Sequence, residues 1–258
     1  MIAGALRVSA LALTLVPATA GTSVTRPPVA LTAAPARVTL DGSGETTVRL
    51  RNAGTSRVVL VVTRAGFGLD LRGRPRIVRR GARSAARWLS FRPRRLALEP
   101  GGRASLVVAS RVPPRAEPGD HDALVLLTSR PRANAGVAVR MRLGIVVVVR
   151  APGVVKRRLV LRRLRLARRG RTRSLELLVV NGGNVTESLA RRGAWISLSR
   201  HGRPFATLAA GNRNLRPRTG GILEFRYRGR RRGWVTARVV IPAEPGRSIV
   251  RRTYRLRL

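Results

Sequence analysis

The stretch from Leu98 to Thr128 most constrains the fold of this chain, because it holds two short β-prone runs and no helical period. The turn at Pro100-Gly101-Gly102 combines a proline, which fixes φ, with glycines, which accept positive φ. Three prolines between positions 113 and 118 then exclude both a helix and a central strand. A strand, a proline-rich crossing and a second strand are how an immunoglobulin-like sandwich passes between its sheets. We therefore predict strands at Ser105 to Ser110 and Ala123 to Thr128.

The rest of the chain has the same character, since no segment carries an i, i+3, i+4, i+7 pattern beyond two turns. A weak internal repeat is also present. The turn at Asn52-Ala53-Gly54 resembles Asn181-Gly182-Gly183-Asn184, and Leu98-Glu99-Pro100 resembles Leu215-Arg216-Pro217. We predict an all-β fold of two tandem immunoglobulin-like antiparallel β-sandwiches, one over residues 35–152 and one, strongly basic, over residues 153–258.

Two tryptophan segments support the same repeat, because Trp88-Leu89-Ser90-Phe91 resembles Trp195-Ile196-Ser197-Leu198. Ala151-Pro152-Gly153 is the predicted linker between the halves. With no cysteine in the chain, each sandwich must be held by its core alone.

The first twenty residues are typical of a signal peptide, with Arg7 before an apolar run and a small-residue cleavage site at Ala18-Thr19-Ala20. An uncleaved anchor or a buried strand is the alternative interpretation. Residues 21–34 are predicted to be a flexible lead. No later apolar run reaches the roughly 18 residues of a transmembrane helix, so we expect no transmembrane segment in the mature chain. The expected location is secreted or in the extracytoplasmic cell envelope.

Two further segments give contrasting predictions. Glycines and arginines between Ala65 and Ala86 suggest a long, irregular, basic excursion. Gly136 to Leu143 alternates strictly between apolar and other residues, which predicts a strand with one buried face. Ile145 to Val149 is apolar throughout, which predicts a central strand covered on both faces.

The formal charge of +42 predicts attraction to polyanions. All the basic residues except Lys156 are arginine, which a GC-rich genome would also explain. The clusters that could bind an anionic polymer include Arg162, Arg163, Arg165, Arg230, Arg231 and Arg232. A solvated outer face of a strand is the alternative. We do not expect nucleic acid as a partner, because aromatic residues form 3% of the chain and the sequence predicts no recognition helix.

Asp120-His121-Asp122 is the one cluster with the residue types of metal ligands. On a strand the two aspartates share one face and the histidine points to the other, so we expect a solvated strand start and no metal or other cofactor. The chain also lacks a G-x-S-x-G nucleophile elbow and a phosphate-binding P-loop. We therefore expect no enzymatic activity.

The first half resembles the peptidoglycan-binding domain of the WxL-interacting cell-surface proteins over roughly residues 35 to 153. The matching motifs are Asn52-Ala53-Gly54, Trp88 to Phe91, Leu98 to Gly101, Pro114 to Asp120, Val137 to Val149 and Pro152-Gly153. Members of that family usually have a C-terminal membrane span with a basic tail, which the apolar runs of this sequence do not predict. The resemblance implies an exported, non-catalytic module that docks on wall polymer (peptidoglycan) or on an envelope protein.

A weaker similarity is to periplasmic pilus chaperones. Arg37 falls where those proteins place a carboxylate-anchoring arginine in the first strand, but their partner lysine has no counterpart here. This similarity implies one alternative function, a chaperone-like protein that donates an edge strand to a client. A second alternative, a secreted arginine-rich polyanion binder, depends on the charge alone. The candidate binding surface comprises Arg37, Trp88, Val139, Arg140 and Arg142.

Overall fold

A computed structural model describes residues 30–78, 83–130, 140–170, 172–189, 193–242 and 249–258. Within these ranges the chain forms β-strands and a single 3₁₀ turn, which confirms the predicted all-β class. The predicted signal peptide and Val139 lie outside the described residues. Within the described ranges, no helix has the length and apolar character that a membrane crossing requires.

Two sheets form the N-terminal half, in the orders β1-β3-β8-β6 and β2-β10-β9-β4-β5, with β7 also paired to β4. A 3₁₀ turn at Ala86–Trp88 precedes β6. The strands of this half are β1 (Leu31–Ala34), β2 (Arg37–Asp41), β3 (Gly44–Asn52), β4 (Val58–Leu69), β5 (Pro75–Val78), β6 (Leu89–Arg92), β7 (Arg95–Leu98), β8 (Arg103–Ser110), β9 (Gly119–Ser129) and β10 (Arg142–Ala151).

The C-terminal half has sheets in the orders β11-β12-β17 and β15-β14-β18-β19, with a small β13-β16 pair. Its strands are β11 (Leu159–Arg169), β12 (Thr172–Asn181), β13 (Glu187–Ser188), β14 (Trp195–Arg200), β15 (Arg203–Ala209), β16 (Asn214–Leu215), β17 (Gly220–Tyr227), β18 (Trp234–Ile241) and β19 (Val250–Arg257).

Each half encloses its own hydrophobic core, because alternate residues of each strand point inward. In β3, Val48 and Leu50 are buried while Arg49 and Arg51 are exposed. The crossing predicted from the first stretch is also present, since β8 and β9 belong to different sheets. That the halves fold independently on either side of Pro152 stays a prediction.

The chain before residue 35 is not wholly a flexible lead. Leu31–Ala34 forms β1, which pairs antiparallel with the end of β3. Leu31 is buried in the first core, and this burial fixes the strand. The composition of residues 21–34 gave no indication that Leu31 would be buried in the core.

The predicted irregular excursion at 65–86 is also wrong for much of its length. Strand β4 continues to Leu69, and the chain returns as β5 after a turn at residues 70–74. Asp70 stabilises this turn, because its Oδ1 accepts hydrogen bonds from the main-chain N–H groups of Arg72 and Arg74. Gly66, Gly68 and Gly73 lie in this hairpin, and a Cβ at Gly66 would lie 2.5 Å from the carbonyl oxygen of Val78. Residues 79–82 of the predicted excursion lie outside the described residues.

The two asparagine turns of the internal repeat have the same structural role in both halves. Asn52 ends β3 and donates to the carbonyl of Leu98, while Asn181 ends β12 and donates to the carbonyl of Leu215. The two tryptophan segments do not occupy equivalent positions in the two halves. Trp88 precedes the edge strand β6, whereas Trp195 begins β14, which pairs on both sides.

Candidate functional site

The candidate binding site is a partly uncovered edge of β10. The two strands predicted at 136–143 and 145–149 are, over their described residues, a single strand from Arg142 to Ala151. One edge of β10 pairs antiparallel with β9 along its length. On the other edge, β2 pairs in parallel and begins only opposite Val146.

The direction of the main-chain N–H and C=O groups of β10 shows which part of its edge is uncovered within the described ranges. The N–H of Val146 donates to the carbonyl of Ala36 at 3.0 Å, and the carbonyl of Arg150 accepts from Gly42 at 2.8 Å. Even-numbered residues of β10 therefore direct their main-chain groups toward β2, since these groups alternate along a strand. Upstream of Val146, the main-chain N–H and C=O of Arg142 and Gly144 face an edge that no strand of the described ranges covers.

Apolar side chains line this open edge on the core side. Met141 and Leu143 are half-buried and pack against the first core, and Ile145 is fully buried. The apolar side chains of the strictly alternating segment therefore extend from the core to the edge of the sandwich. Val139, its next apolar member, lies outside the described residues.

Exposed arginines lie on the outer face of the same edge. Arg37 is exposed at the start of β2, opposite Val146, and Arg142 is exposed on β10. The two share a face, about 13 Å apart along the strand direction. Arg140 is also exposed, immediately before β10. The structure therefore gathers three of the five predicted surface residues near one edge.

Trp88 does not belong to that edge. It is half-buried, and its ring centroid lies 4.3 Å from that of His121. His121 is 3% exposed, and its Nε2 lies 2.7 Å from the carbonyl oxygen of Glu117. Burial lowers the pKa of His121, with the Glu117 hydrogen bond opposing the shift. These two rings contribute to packing.

The aspartates on either side of His121 correct a second prediction. Asp120 and Asp122 are 1% and 0% exposed, not a solvated strand start. Their side chains share one face of β9, as the strand alternation predicted, and the C-terminal half contacts both of them on that face. Asp120 accepts hydrogen bonds from Arg150 Nε at 2.8 Å and from the main-chain N–H of Thr186 at 2.7 Å.

Asp122 forms the second link between the halves. Its Oδ2 lies 2.5 Å from Arg216 Nε, and the side chain of Arg216 is 15% exposed. The Arg216 guanidinium also lies 5.5 Å from the ring of Phe67. Burial raises the pKa of Asp122, while Arg216 and then Arg37 oppose the rise. The cluster that resembled metal ligands therefore joins the two halves by one buried ion pair, Asp122–Arg216, and by the hydrogen bond from Thr186 to Asp120.

The β4–β5 turn makes a third link. Leu71 accepts a hydrogen bond at its carbonyl from the N–H of Ile222 at 2.7 Å. Arg72 forms an ion pair with the buried carboxylate of Glu176 at 2.8 Å. Burial alone would raise the pKa of Glu176, but hydrogen bonds from Arg72 and Arg165 lower it overall.

The predicted basic clusters divide into paired and solvated members. Arg165 forms an ion pair with Glu176 at 2.8 Å, and the Arg231 guanidinium lies 4.7 Å from the ring of Phe205. Arg162 and Arg163 are exposed at an irregularity in β11. Arg230 and Arg232 are exposed beside a cavity of about 850 Å³ that Arg173 and Tyr227 also line.

No model of a known protein family matches the chain, and no curated protein sequence matches it. The resemblance to the WxL-interacting family therefore finds no support, and peptidoglycan binding stays a prediction.

Solved structures of chaperones are similar to the chain. The YadV chaperone is 11% identical, with a TM-score of 0.49 over 88% of this chain and 99% of that one. The SafB chaperone in complex with the Salmonella enterica SafA pilin is 12% identical, with a TM-score of 0.46 over 89% and 97%. The Pseudomonas aeruginosa CupB2 chaperone is 16% identical, with a TM-score of 0.42 over 88% and 100%.

Proposed function

We propose that this protein is a non-catalytic, extracytoplasmic binding protein that pairs the open edge of β10 with an extended segment of a client protein. The observation that supports this most directly is the pair of outward-facing main-chain groups at Arg142 and Gly144, upstream of the point where β2 begins. An added strand would satisfy those groups by β-augmentation, in which main-chain hydrogen bonds provide affinity and alternate side chains provide specificity.

The side chains around the edge define the chemistry of the client. Client residues that face the core would meet Met141 and Leu143, so they should be apolar. Client residues on the outer face would meet Arg142, so they should be acidic or polar. The expected client segment therefore alternates apolar and acidic residues with a period of two.

Arg37 favours one orientation of the client. A segment that runs parallel to β10 occupies the track that β2 takes farther along, and its C-terminus arrives where Arg37 lies exposed opposite Val146. A terminal carboxylate there would receive charge-assisted hydrogen bonds from the guanidinium. We therefore propose that the client segment is C-terminal.

Replacing Gly144 tests the edge directly. Gly144→Pro removes the outward N–H without removing a hydrogen bond to β9. Gly144→Ala keeps that N–H, and its Cβ fits, because the nearest atoms are 3.6 Å away on Leu124 and Leu126. We expect peptides selected from a random C-terminal display library to bind the parent and Gly144→Ala alike, and Gly144→Pro at least about tenfold more weakly, as measured by fluorescence anisotropy.

The selected peptides should also show the alternating apolar and acidic pattern. Far-UV circular dichroism and thermal unfolding must first show that Gly144→Pro is folded. The edge-pairing proposal is wrong if peptides bind the folded proline variant as tightly as they bind the parent. It is also wrong if the library yields no enriched sequence.

The role of Arg37 requires a separate comparison. Selected peptides with a free C-terminus should bind the parent more tightly than their amidated forms, by about three- to tenfold, because amidation removes the carboxylate. Arg37→Gln should abolish this difference, whereas Arg87→Gln, at an exposed arginine of the 3₁₀ turn, should preserve it. A preference that survives in Arg37→Gln would place the carboxylate elsewhere.

A further inference from the structure

The outer face of the four-stranded sheet in the C-terminal half, β15-β14-β18-β19, is basic and carries no acidic side chain in any of its strands. Along β18 and β19 the exposed arginines on this face are Arg238, Arg251, Arg255 and Arg257. The local charge is therefore positive from one end of the sheet to the other, and it attracts anions.

Two tryptophans are exposed on the same face. The exposed fraction is 37% for Trp195 and 56% for Trp234. Trp195 lies opposite Val240, six residues along β18 from Trp234, so the two rings are separated by about 20 Å along the sheet. The Arg255 guanidinium lies 5.3 Å from the centroid of the Trp234 ring, which places an arginine beside that ring.

Hydroxyl side chains occupy the rows between the two rings. One cross-strand row comprises Thr207, Ser197, Arg238 and Thr253. The next comprises Ser199, Thr236 and Arg255. The face thus has a ring toward each end, hydroxyls between the rings and arginines along the β19 side.

We propose that this tryptophan–arginine face (Trp195, Trp234, Arg238, Arg251, Arg255 and Arg257) binds an extended acidic polysaccharide whose sugars carry carboxylates. Tryptophan offers a large apolar surface on which the C–H face of a sugar ring packs. Arginine presents a planar fork that matches a carboxylate, and serine and threonine hydroxyls exchange hydrogen bonds with sugar hydroxyls. This site is distinct from the β10 edge, which lies in the other half of the molecule.

The spacing of the rings favours a glycan over a single-stranded nucleic acid. Single strands bind on platforms where successive bases stack on neighbouring aromatic side chains. In the described part of this face only two rings are present, and they are about 20 Å apart. Consecutive bases would find no second ring, whereas a polysaccharide can contact the hydroxyl rows between the two.

The test uses the full-length protein with polygalacturonate, fully methyl-esterified polygalacturonate and oligodeoxythymidylate as probes. Binding is measured by affinity electrophoresis and by tryptophan fluorescence at about 0.3 M salt, where long-range attraction is screened. Polygalacturonate should bind more tightly than oligodeoxythymidylate, and the esterified form, which has the same sugars without charge, should bind at least about tenfold more weakly. Trp195→Ala and Trp234→Ala should each weaken polygalacturonate binding about tenfold.

A matched pair of double variants separates this face from the overall charge. Arg238→Gln/Arg255→Gln removes two charges from the face, and Arg49→Gln/Arg51→Gln removes two exposed charges from β3 in the other half. The first pair should weaken polygalacturonate binding at least about tenfold and the second less than about twofold. Equal losses from the two pairs, or unchanged binding in folded Trp195→Ala and Trp234→Ala, would overturn the proposal. Oligodeoxythymidylate that binds as tightly and depends on the same tryptophans would replace it with a nucleic-acid platform.

Discussion

Replacing Arg216 with alanine should lower the free energy of unfolding by about 3–5 kcal/mol at neutral pH, because it leaves the carboxylate of Asp122 buried without its partner. Asp122 is fully buried, and Arg216 provides its ion pair at 2.5 Å. Arg37 also acts on this carboxylate, but at a distance and from the surface. Chemical denaturation of the parent and the variant measures the loss.

The loss should depend on pH with a definite sign. Burial already raises the folded-state pKa of Asp122 above its ordinary 3.8, and removal of Arg216 raises it further. Between the unfolded-state and folded-state pKa values, the folded protein binds more protons, so stability falls as pH rises through that window. The difference between parent and Arg216→Ala should therefore be smallest near pH 4 and largest above the folded-state pKa.

A neighbouring arginine provides the control. Arg218 pairs with Glu117, and both side chains are largely exposed. Arg218→Ala should therefore cost no more than about 1 kcal/mol and show no such pH dependence. If Arg216→Ala costs as little as Arg218→Ala, the buried pair does not hold the halves together. The double replacement Asp122→Leu/Arg216→Met should recover most of the loss, because it removes both charges.

The fold class was predictable because its signals are local. Alternation indicates which residues of a strand point inward. The strands predicted at Ser105 to Ser110 and Ala123 to Thr128 lie within β8 and β9. Turn chemistry was equally informative at Asn52 and Asn181. Both signals depend only on neighbouring residues.

The failures concern contacts between distant parts of the chain. Asp120 and Asp122 were predicted to lie at a solvated strand start, and carboxylates are rarely buried without partners. Their partners include Arg216 and Thr186, which are far away in sequence. No local pattern indicates that a second sandwich covers this face.

The open edge of β10 was predictable in part. The alternation up to Leu143 indicated a strand with one apolar face, which the structure shows for the described part. Where β2 begins opposite β10 depends on register between two strands about 100 residues apart, and no short-range signal sets that. The tryptophan–arginine face was missed for a similar reason, because Trp195 and Trp234 meet on one face only through the pairing of β14 with β18.

Replacing either turn asparagine with alanine should lower the free energy of unfolding by about 3 kcal/mol or more, because several buried groups lose their partners together. Asn52 is fully buried, and its Nδ2 donates to the carbonyls of Ser56 at 2.8 Å and of Leu98 and Glu99 at 3.1 Å. Its Oδ1 accepts from the N–H of Gly54 at 3.0 Å. Thermal and chemical unfolding measure the effect.

Asn181 should behave in the same way, since its Nδ2 donates to Val185 and Leu215 and its Oδ1 accepts from Gly183. Asn214→Ala, at an exposed asparagine, should change stability by less than about 0.5 kcal/mol. Aspartate is the sharper replacement at Asn52, because a carboxylate cannot donate and would face the carbonyls. Asn52→Asp should be at least as unstable as Asn52→Ala at neutral pH and should recover in acid, when protonation restores one donor.

The two asparagines also test whether each core is its own folding unit. If the halves fold separately, Asn52→Ala should lower the melting of the N-terminal half and Asn181→Ala that of the C-terminal half, seen as different amides losing hydrogen-exchange protection first. The buried Arg216–Asp122 pair couples the halves, so Arg216→Ala added to either variant should separate the two transitions further. If Asn52→Ala and Asn181→Ala each lower one shared transition even in the Arg216→Ala background, the proposed division at Pro152 is wrong, and the two cores unfold as one unit.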